Sequence, residues 1–222
     1  MCGRFTLTLD AEELQEQLPG IAIPSQVAPR FNIAPGQPVL AIANDGKRTA
    51  ELFTWGLVPS WAKDPEIGNR LINARAETLA EKPSFRGSYK HKRCLILADG
   101  FYEWQAAPGG RTKVPHFIHL DGRTVFAFAG LWDNWQGTDG SLIRSCTIIT
   151  TAPNSLMASI HSRMPVILDA AAYSTWLDPT PKGADILQPL LRPFPAEGMR
   201  AYPVSTFVNR PANEGPECIA PA

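Results

Sequence analysis

Apolar positions along this chain fall in short runs, not in long helical stripes. "PVLAIA" (38–43), "ELFTWGL" (51–57), "RCLILADGFYEW" (93–104), "HFIHL" (116–120), "TVFAFAGLW" (124–132), "CTIITT" (146–151) and "PVIL" (165–168) are rich in β-branched and aromatic residues. Gly, Pro, Asp or Asn bound them, as expected between strands. They predict a mixed, extensively paired, barrel-like sheet. Helical patterning is brief. In "LDAEELQEQLPG", Asp10 is placed to cap, Glu13 completes a capping box, Leu9 and Leu14 form a staple, and Pro19-Gly20 ends the helix. A second helix is predicted from Asp169 through Trp176, a third over "NARAETLAEK" (73–82), and a short one in "APNSLMASI" (152–160). The expected fold class is α+β, a β-rich single domain over 1–222 with a few short peripheral helices.

Composition narrows the function classes. Lys plus Arg equals Asp plus Glu at 21 each, so no global field draws the chain to polyanions. Any nucleic-acid contact must be local, and "KPSFRGSYKHKR" (82–93), with five basic residues and no acid, could supply it or be a solvated surface. Cys2, Cys94, Cys146 and Cys218 form no C-x-x-C pair and no cluster with histidine, which argues against structural zinc and a disulfide framework. No metal and no cofactor is expected. The chain carries no signal-peptide pattern and no membrane-length apolar run, so a cytoplasmic, reducing location without membrane contact is expected.

Three segments could carry chemistry. Once Met1 is removed, Cys2 in "MCGRF" presents an α-amine and a thiol on adjacent carbons. With amine pKa values of about 7.7–8.0, roughly a fifth of such amines are neutral and nucleophilic near neutral pH. The amine can attack an aldehyde to form an imine, and the thiol can close on the imine carbon to give a five-membered thiazolidine. Glu103, between Tyr102 and Trp104, could sit in a partly apolar wall that raises its pKa toward one useful for proton transfer, or could be an ordinary edge-strand glutamate. His161 falls at a helix-to-strand junction, where histidine serves as acid or base or as a structural group, and Arg163 could grip a phosphate or pair with a carboxylate. "FNIAPGQP" (31–38), "WGLVPSW" (55–61) and "LINARAET" (71–78) are stiff loops dense in Asn, Pro, Trp and Arg, suited to holding a ligand.

These blocks, with "ADGFYEW", "AGLW", "TTAPNSLMASIHSRMPVIL" and "PVSTFVNRPANEGPECI", resemble the SOS-response-associated peptidase family, the abasic-site processing proteins, in order and spacing over nearly the whole chain. The resemblance implies that processed Cys2 captures the open-chain sugar aldehyde of an abasic site as a thiazolidine DNA-protein crosslink, with removal of Met1 by the protein itself and abasic-site lyase activity as associated steps. It implies that Glu103 acts on the N-terminal amine and in Met1 removal, that His161 assists imine formation, ring opening and reversal, and that Asn73 positions Cys2 and the sugar. Arg4, Asn32, Arg75, Arg163 and Thr150 match positions that hold the DNA backbone or the active-site network, and Trp61 and Phe85 match wedging or stacking positions. The implied partner is single-stranded DNA with abasic sites, including single-strand/double-strand junctions, for a monomer that is nucleoid-associated if bacterial. Phe31 stands where the family often has Tyr, and Ala62 follows Trp61 where some relatives have a second Trp.

Two other classes stay in view. An N-terminal-nucleophile glutamine amidotransferase also begins Met-Cys-Gly, and there the thiolate attacks an amide carbon. A non-covalent DNA-junction binding module would need the basic stretch around Arg86 to Arg93 to face one groove.

Overall fold

A computed structural model describes residues 2–107, 109–110, 112–122 and 124–222. In chain order come β1 (Phe5–Leu7), α1 (Ala11–Gln17), β2 (Arg30–Ile33), β3 (Pro38–Ala43), β4 (Ala50–Trp55) and β5 (Asn73–Arg75). Helix α2 (Arg86–His91) precedes β6 (Arg93–Ala98), β7 (Gly100–Ala106), β8 (Lys113–Leu120), β9 (Phe126–Gln136) and β10 (Leu142–Thr151). Then follow β11 (Met164–Pro165), β12 (Ile167–Leu168), α3 (Tyr173–Trp176), α4 (Ala184–Leu187) and β13 (Met199–Pro203), with 3₁₀ turns between elements.

The strands form two sheets. In one, β10-β4-β3-β6-β9 closes on itself because β9 also pairs with β10, giving a five-stranded barrel with β5, β11 and β12 attached. It is mixed: β4 and β5 run parallel to β10, and the other pairs are antiparallel. Closure removes the barrel's free edges. The second sheet is antiparallel, in the order β13-β8-β7-β1-β2. The expected β-rich α+β class with a barrel-like sheet is the class observed. Runs such as "RCLILA" are apolar without alternation because β6 is buried on both faces.

The run 93–104 is not one strand. It ends as β6 at Ala98 and resumes as β7 at Gly100, so the chain changes sheets at Asp99. The Asp99 carboxylate accepts from the Thr6 hydroxyl and from the Thr8 amide and hydroxyl, which pins the corner to β1 and the residue beyond it. Gly100 is required there, since a Cβ would lie 2.2 Å from the Phe117 ring.

Helix predictions fared unevenly. Asp10 accepts from the Glu12 and Glu13 amides while Glu13 accepts from the Asp10 amide, so α1 carries the expected capping box, with Leu9 and Leu14 both buried. Asp169 caps a 3₁₀ turn, Ala170–Ala172, that runs into α3. The helix expected over 73–82 is absent. Those residues form β5 and a 3₁₀ turn, Ala76–Thr78, because Asn73, Ala74 and Arg75 pair with Ile148, Ile149 and Thr150 on β10, and ladder bonds override weak local helical preference. The helix lies further on, as α2 inside the basic stretch. That stretch does not present one charged face. Arg93 is fully buried and donates to the carbonyls of Trp176, Tyr89, Lys90, Asp178 and Thr180, and Lys92 pairs with Asp133 at 2.5 Å. Lys82, Arg86 and Lys90 alone of its Lys and Arg residues are exposed.

Candidate active site at the seam of the two sheets

Cys2 precedes β1, which lies between β7 and β2 in the antiparallel sheet. The register Phe5↔Phe101, with the Tyr102 amide donating to the Arg4 carbonyl at 3.0 Å, lays the residues before β1 alongside Glu103 and Trp104 of β7. From the barrel sheet, β5 brings Asn73, whose Nδ2 donates to the Cys2 carbonyl at 2.8 Å. His161 follows the 3₁₀ turn Met157–Ser159, and Nε2 lies 4.0 Å from Glu103 Oε2. Its turn is tied to β7 by Gln105, which donates to the Ser159 carbonyl at 2.8 Å. The four residues expected to be catalytic therefore converge where the two sheets meet.

Burial grades inward through this group. The side chain of His161 is 26% exposed and that of Glu103 3%, and Cys2 is fully buried. Burial, reinforced by the negative charge of Glu103, pushes the Cys2 thiol well above the ordinary range, so it is held as S–H. Burial likewise raises the Glu103 carboxyl, with the charge available to His161 pulling the other way. The Arg163 amide donates to His161 Nδ1 at 3.1 Å. Nδ1 also lies 3.2 Å from the Arg163 carbonyl, so this side of the ring is held by the Arg163 backbone and Nε2 is turned toward Glu103. Asn73 Oδ1 is buried with no hydrogen-bond partner among the described residues. Met1, whose removal would free the Cys2 amine, lies outside the described residues.

The remaining expected residues separate into three groups. Arg163, Thr150 and Arg75 share one row: Thr150 is paired with Arg75 on one side and Pro165 on the other, and Arg163 donates to the Thr150 carbonyl at 2.6 Å. Arg4 and Asn32 instead hold the C-terminal segment. Arg4 donates to Asn32 Oδ1, Val208 O and Asn209 O at 2.7, 2.8 and 3.1 Å. Asn32, fully buried, donates to the carbonyls of Val208, Arg210 and Asn213. Asn32 is enclosed in this network, and Arg4 reaches it from a partly exposed position. Trp61 is 58% exposed, whereas Phe85 at 8% packs in the main core and offers no free ring face for stacking.

Two groups escaped the sequence reading. Glu77 makes a bidentate pair with Arg163 at 2.7 and 3.0 Å. Glu214 accepts from the Phe31 and Asn32 amides and from Arg30. Glu77 lies within the motif "INARAET", two residues past Arg75, but nothing local reveals its partner. Among the described residues no group of three or more His, Cys, Asp or Glu could hold a metal ion, and no helix is long and apolar enough to cross a membrane.

The family model of the SOS response associated peptidase (SRAP) matches residues 1–211. The chain belongs to the SRAP family. It is similar to "Abasic site processing protein YoqW" of Bacillus subtilis (strain 168), 48% identical with 99% of each chain covered. It is also similar to "Abasic site processing protein HMCES" of Gallus gallus, 34% identical over 100% of this chain and 78% of that one. Among solved structures, a protein from Bacteroides thetaiotaomicron superposes with a TM-score of 0.89 at 29% identity, covering 100% of both chains. The fold is thus shared with that protein along the whole chain.

Proposed function

We propose that this SRAP protein processes abasic sites in single-stranded DNA by forming a covalent thiazolidine through Cys2. The observation that carries the reading is the convergence of Asn73, Glu103 and His161 on a cysteine one residue from the chain start, in a chain whose relatives bear the name abasic site processing protein.

The chemistry runs in a fixed order. Loss of Met1, for which Glu103 is the acid/base group, exposes the Cys2 amine. The neutral amine adds to C1′ of the open sugar, and the resulting carbinolamine loses water to become an imine. The thiol then adds across the C=N bond: sulfur bonds to carbon and the thiol proton ends on nitrogen. Release of Met1 consumes one water, and from the processed protein onward the sum is protein plus DNA minus one water, with no oxidant, reductant or cofactor. Glu103 accepts the proton that leaves the attacking amine, His161 supplies a proton for sugar ring opening and for reversal, and Asn73 holds Cys2 by its carbonyl while Oδ1 accepts from the sugar or the amine. Until the ring closes, the imine acidifies the C2′ proton, so this intermediate is also the branch point to strand cleavage.

The protonated thiol supports amine-first chemistry. An N-terminal-nucleophile glutaminase needs a thiolate to attack first, and a buried site beside a carboxylate opposes it.

Intact-mass spectrometry before and after incubation with a single-stranded oligonucleotide carrying one abasic site tests the proposal. The expected result is loss of Met1 followed by a mass gain of the oligonucleotide minus one water. A processed protein with no adduct, together with ammonia release from glutamine, would overturn it.

A further inference from the structure

Arg163 grips the carboxylate of Glu77 at the edge of the site, next to the strand that carries Arg75. Strand pairing builds the arrangement: Arg75 on β5 lies opposite Thr150 on β10, and Thr150 lies opposite Pro165 on β11, two residues from Arg163. Arg163 places Nη1 and Nη2 on the two carboxylate oxygens at 2.7 and 3.0 Å, the fork-on-fork geometry that a guanidinium also uses for a phosphodiester. Its Nη2 is anchored separately on the Thr150 carbonyl at 2.6 Å, so its orientation does not depend on Glu77 alone. Arg75 is exposed and donates no hydrogen bond among the described residues, and its charge also acts on Glu77. The carboxyl is held below the usual glutamate range, first by the hydrogen bonds from Arg163, so it stays ionised in the seat.

The burial of the partners is unequal. The Arg163 side chain is 16% exposed and that of Glu77 is 51% exposed. A half-exposed carboxylate on a short 3₁₀ turn can swing into water, whereas Arg163 is fixed from below. Such a pair contributes little to folding, which leaves its role at the site to be explained.

We propose that Glu77 occupies, in the DNA-free protein, an Arg163 seat for a backbone phosphate, and that a phosphodiester displaces it when DNA binds. The proposal rests on the DNA reading above and adds an internal competitor to it. A carboxylate and a phosphodiester carry the same single charge and the same two-oxygen face, so the exchange is nearly isoelectric. The displaced carboxylate remains beside the incoming phosphate and weakens binding. The seat therefore disfavours isolated small anions and admits a phosphate mainly when a neighbouring part of the same strand is already engaged.

Glu77→Gln tests this with a short fluorescein-labelled single-stranded oligonucleotide that has no abasic site, so that no covalent step intervenes. Anisotropy titrations across a salt series should show the variant binding about threefold to fivefold more tightly at low salt. Its salt dependence should be steeper, by up to about 0.7 in the log–log slope, the share of one phosphate on a single strand. Inorganic phosphate should compete more effectively against the variant than against the parent. Equal affinity in the two proteins, or weaker binding by the variant, would overturn the seat and leave Glu77 as a support for Arg163. Absence of binding by both proteins would overturn the DNA reading and this inference with it. Coincident thermal melts of the two proteins, expected for so exposed a side chain, exclude misfolding as the source of a loss.

Discussion

The side-chain amide of Asn73 donates to the backbone carbonyl of Cys2 across 2.8 Å, joining residues 71 positions apart in the chain. One partner leads into β1 of the antiparallel sheet and the other begins β5 of the barrel sheet. The bond spans the seam at which Glu103 and His161 also meet, and it sets where the head of the chain lies relative to both.

Replacing Asn73 by Ala leaves the Cys2 carbonyl without its donor. The loss of a buried hydrogen bond of about 1.4 kcal/mol corresponds to about a tenfold slower adduct formation. Gel-resolved time courses on abasic oligonucleotide should show that slowing while affinity for intact DNA is kept. An unchanged rate would remove Asn73 from the positioning of Cys2.

Cys2→Ser keeps the amine and removes the sulfur. The variant should form an imine that borohydride traps, yet give no adduct that survives denaturation without reductant. A heat-stable adduct in the absence of borohydride would mean that another group closes on the imine.

Glu103 makes a prediction in two measurements. Its folded pKa is raised by burial, so its contribution to stability is fully present below the unfolded value of about 4.3 and is lost as pH rises through the folded value. Glu103→Gln should therefore raise the melting temperature at pH 7, with the gap to the parent closing toward pH 4. The parent's crosslinking rate should fall more steeply on the acid side than the variant's, because the parent needs both the N-terminal amine and Glu103 deprotonated and the variant needs only the amine. Equal acid-side slopes in parent and variant would argue that Glu103 transfers no proton.

Asn32→Ala breaks three hydrogen bonds that hold the segment after β13 against β2. A cost of about 3 kcal/mol is expected for a fully buried amide with this many partners, measured as a lower urea midpoint. A loss of DNA affinity with an unchanged midpoint would instead assign Asn32 to the phosphate backbone.

Much of the fold was legible where the signal is local. The capping box of Asp10 and Glu13 spans three residues, and β3 coincides with the run "PVLAIA" because a strand buried on nearly every residue has no polar alternation to confuse its ends. The site was legible differently: the blocks holding Cys2, Asn73, Glu103 and His161 stand out by composition and by resemblance to SRAP proteins. Reading failed where a distant partner decides the outcome. Residues 73–82 have helical preference, yet the edge of β10 captures their first three as a strand. The run 93–104 is continuously apolar, yet Asp99 splits it because Thr6 and Thr8 satisfy its carboxylate only at a sheet corner. Arg93 counts as one more positive charge in a basic stretch until the carbonyls that surround it are seen.

By itself the sequence determined the chemistry that is available: a cysteine at position 2 that offers amine and thiol together once Met1 is removed, an acid, a histidine and several arginines in separate blocks, and a β-rich chain to carry them. Tertiary structure alone decided which of these meet. It set Asn73 on Cys2 and His161 within 4.0 Å of Glu103, drew Arg4 and Asn32 away to the C-terminal segment, and filled the Arg163 fork with Glu77, 86 residues distant. Propensities and caps act over a few residues, whereas the desolvation that raises a pKa and the pairing that neutralises a charge depend on neighbours that barrel closure and sheet register bring together.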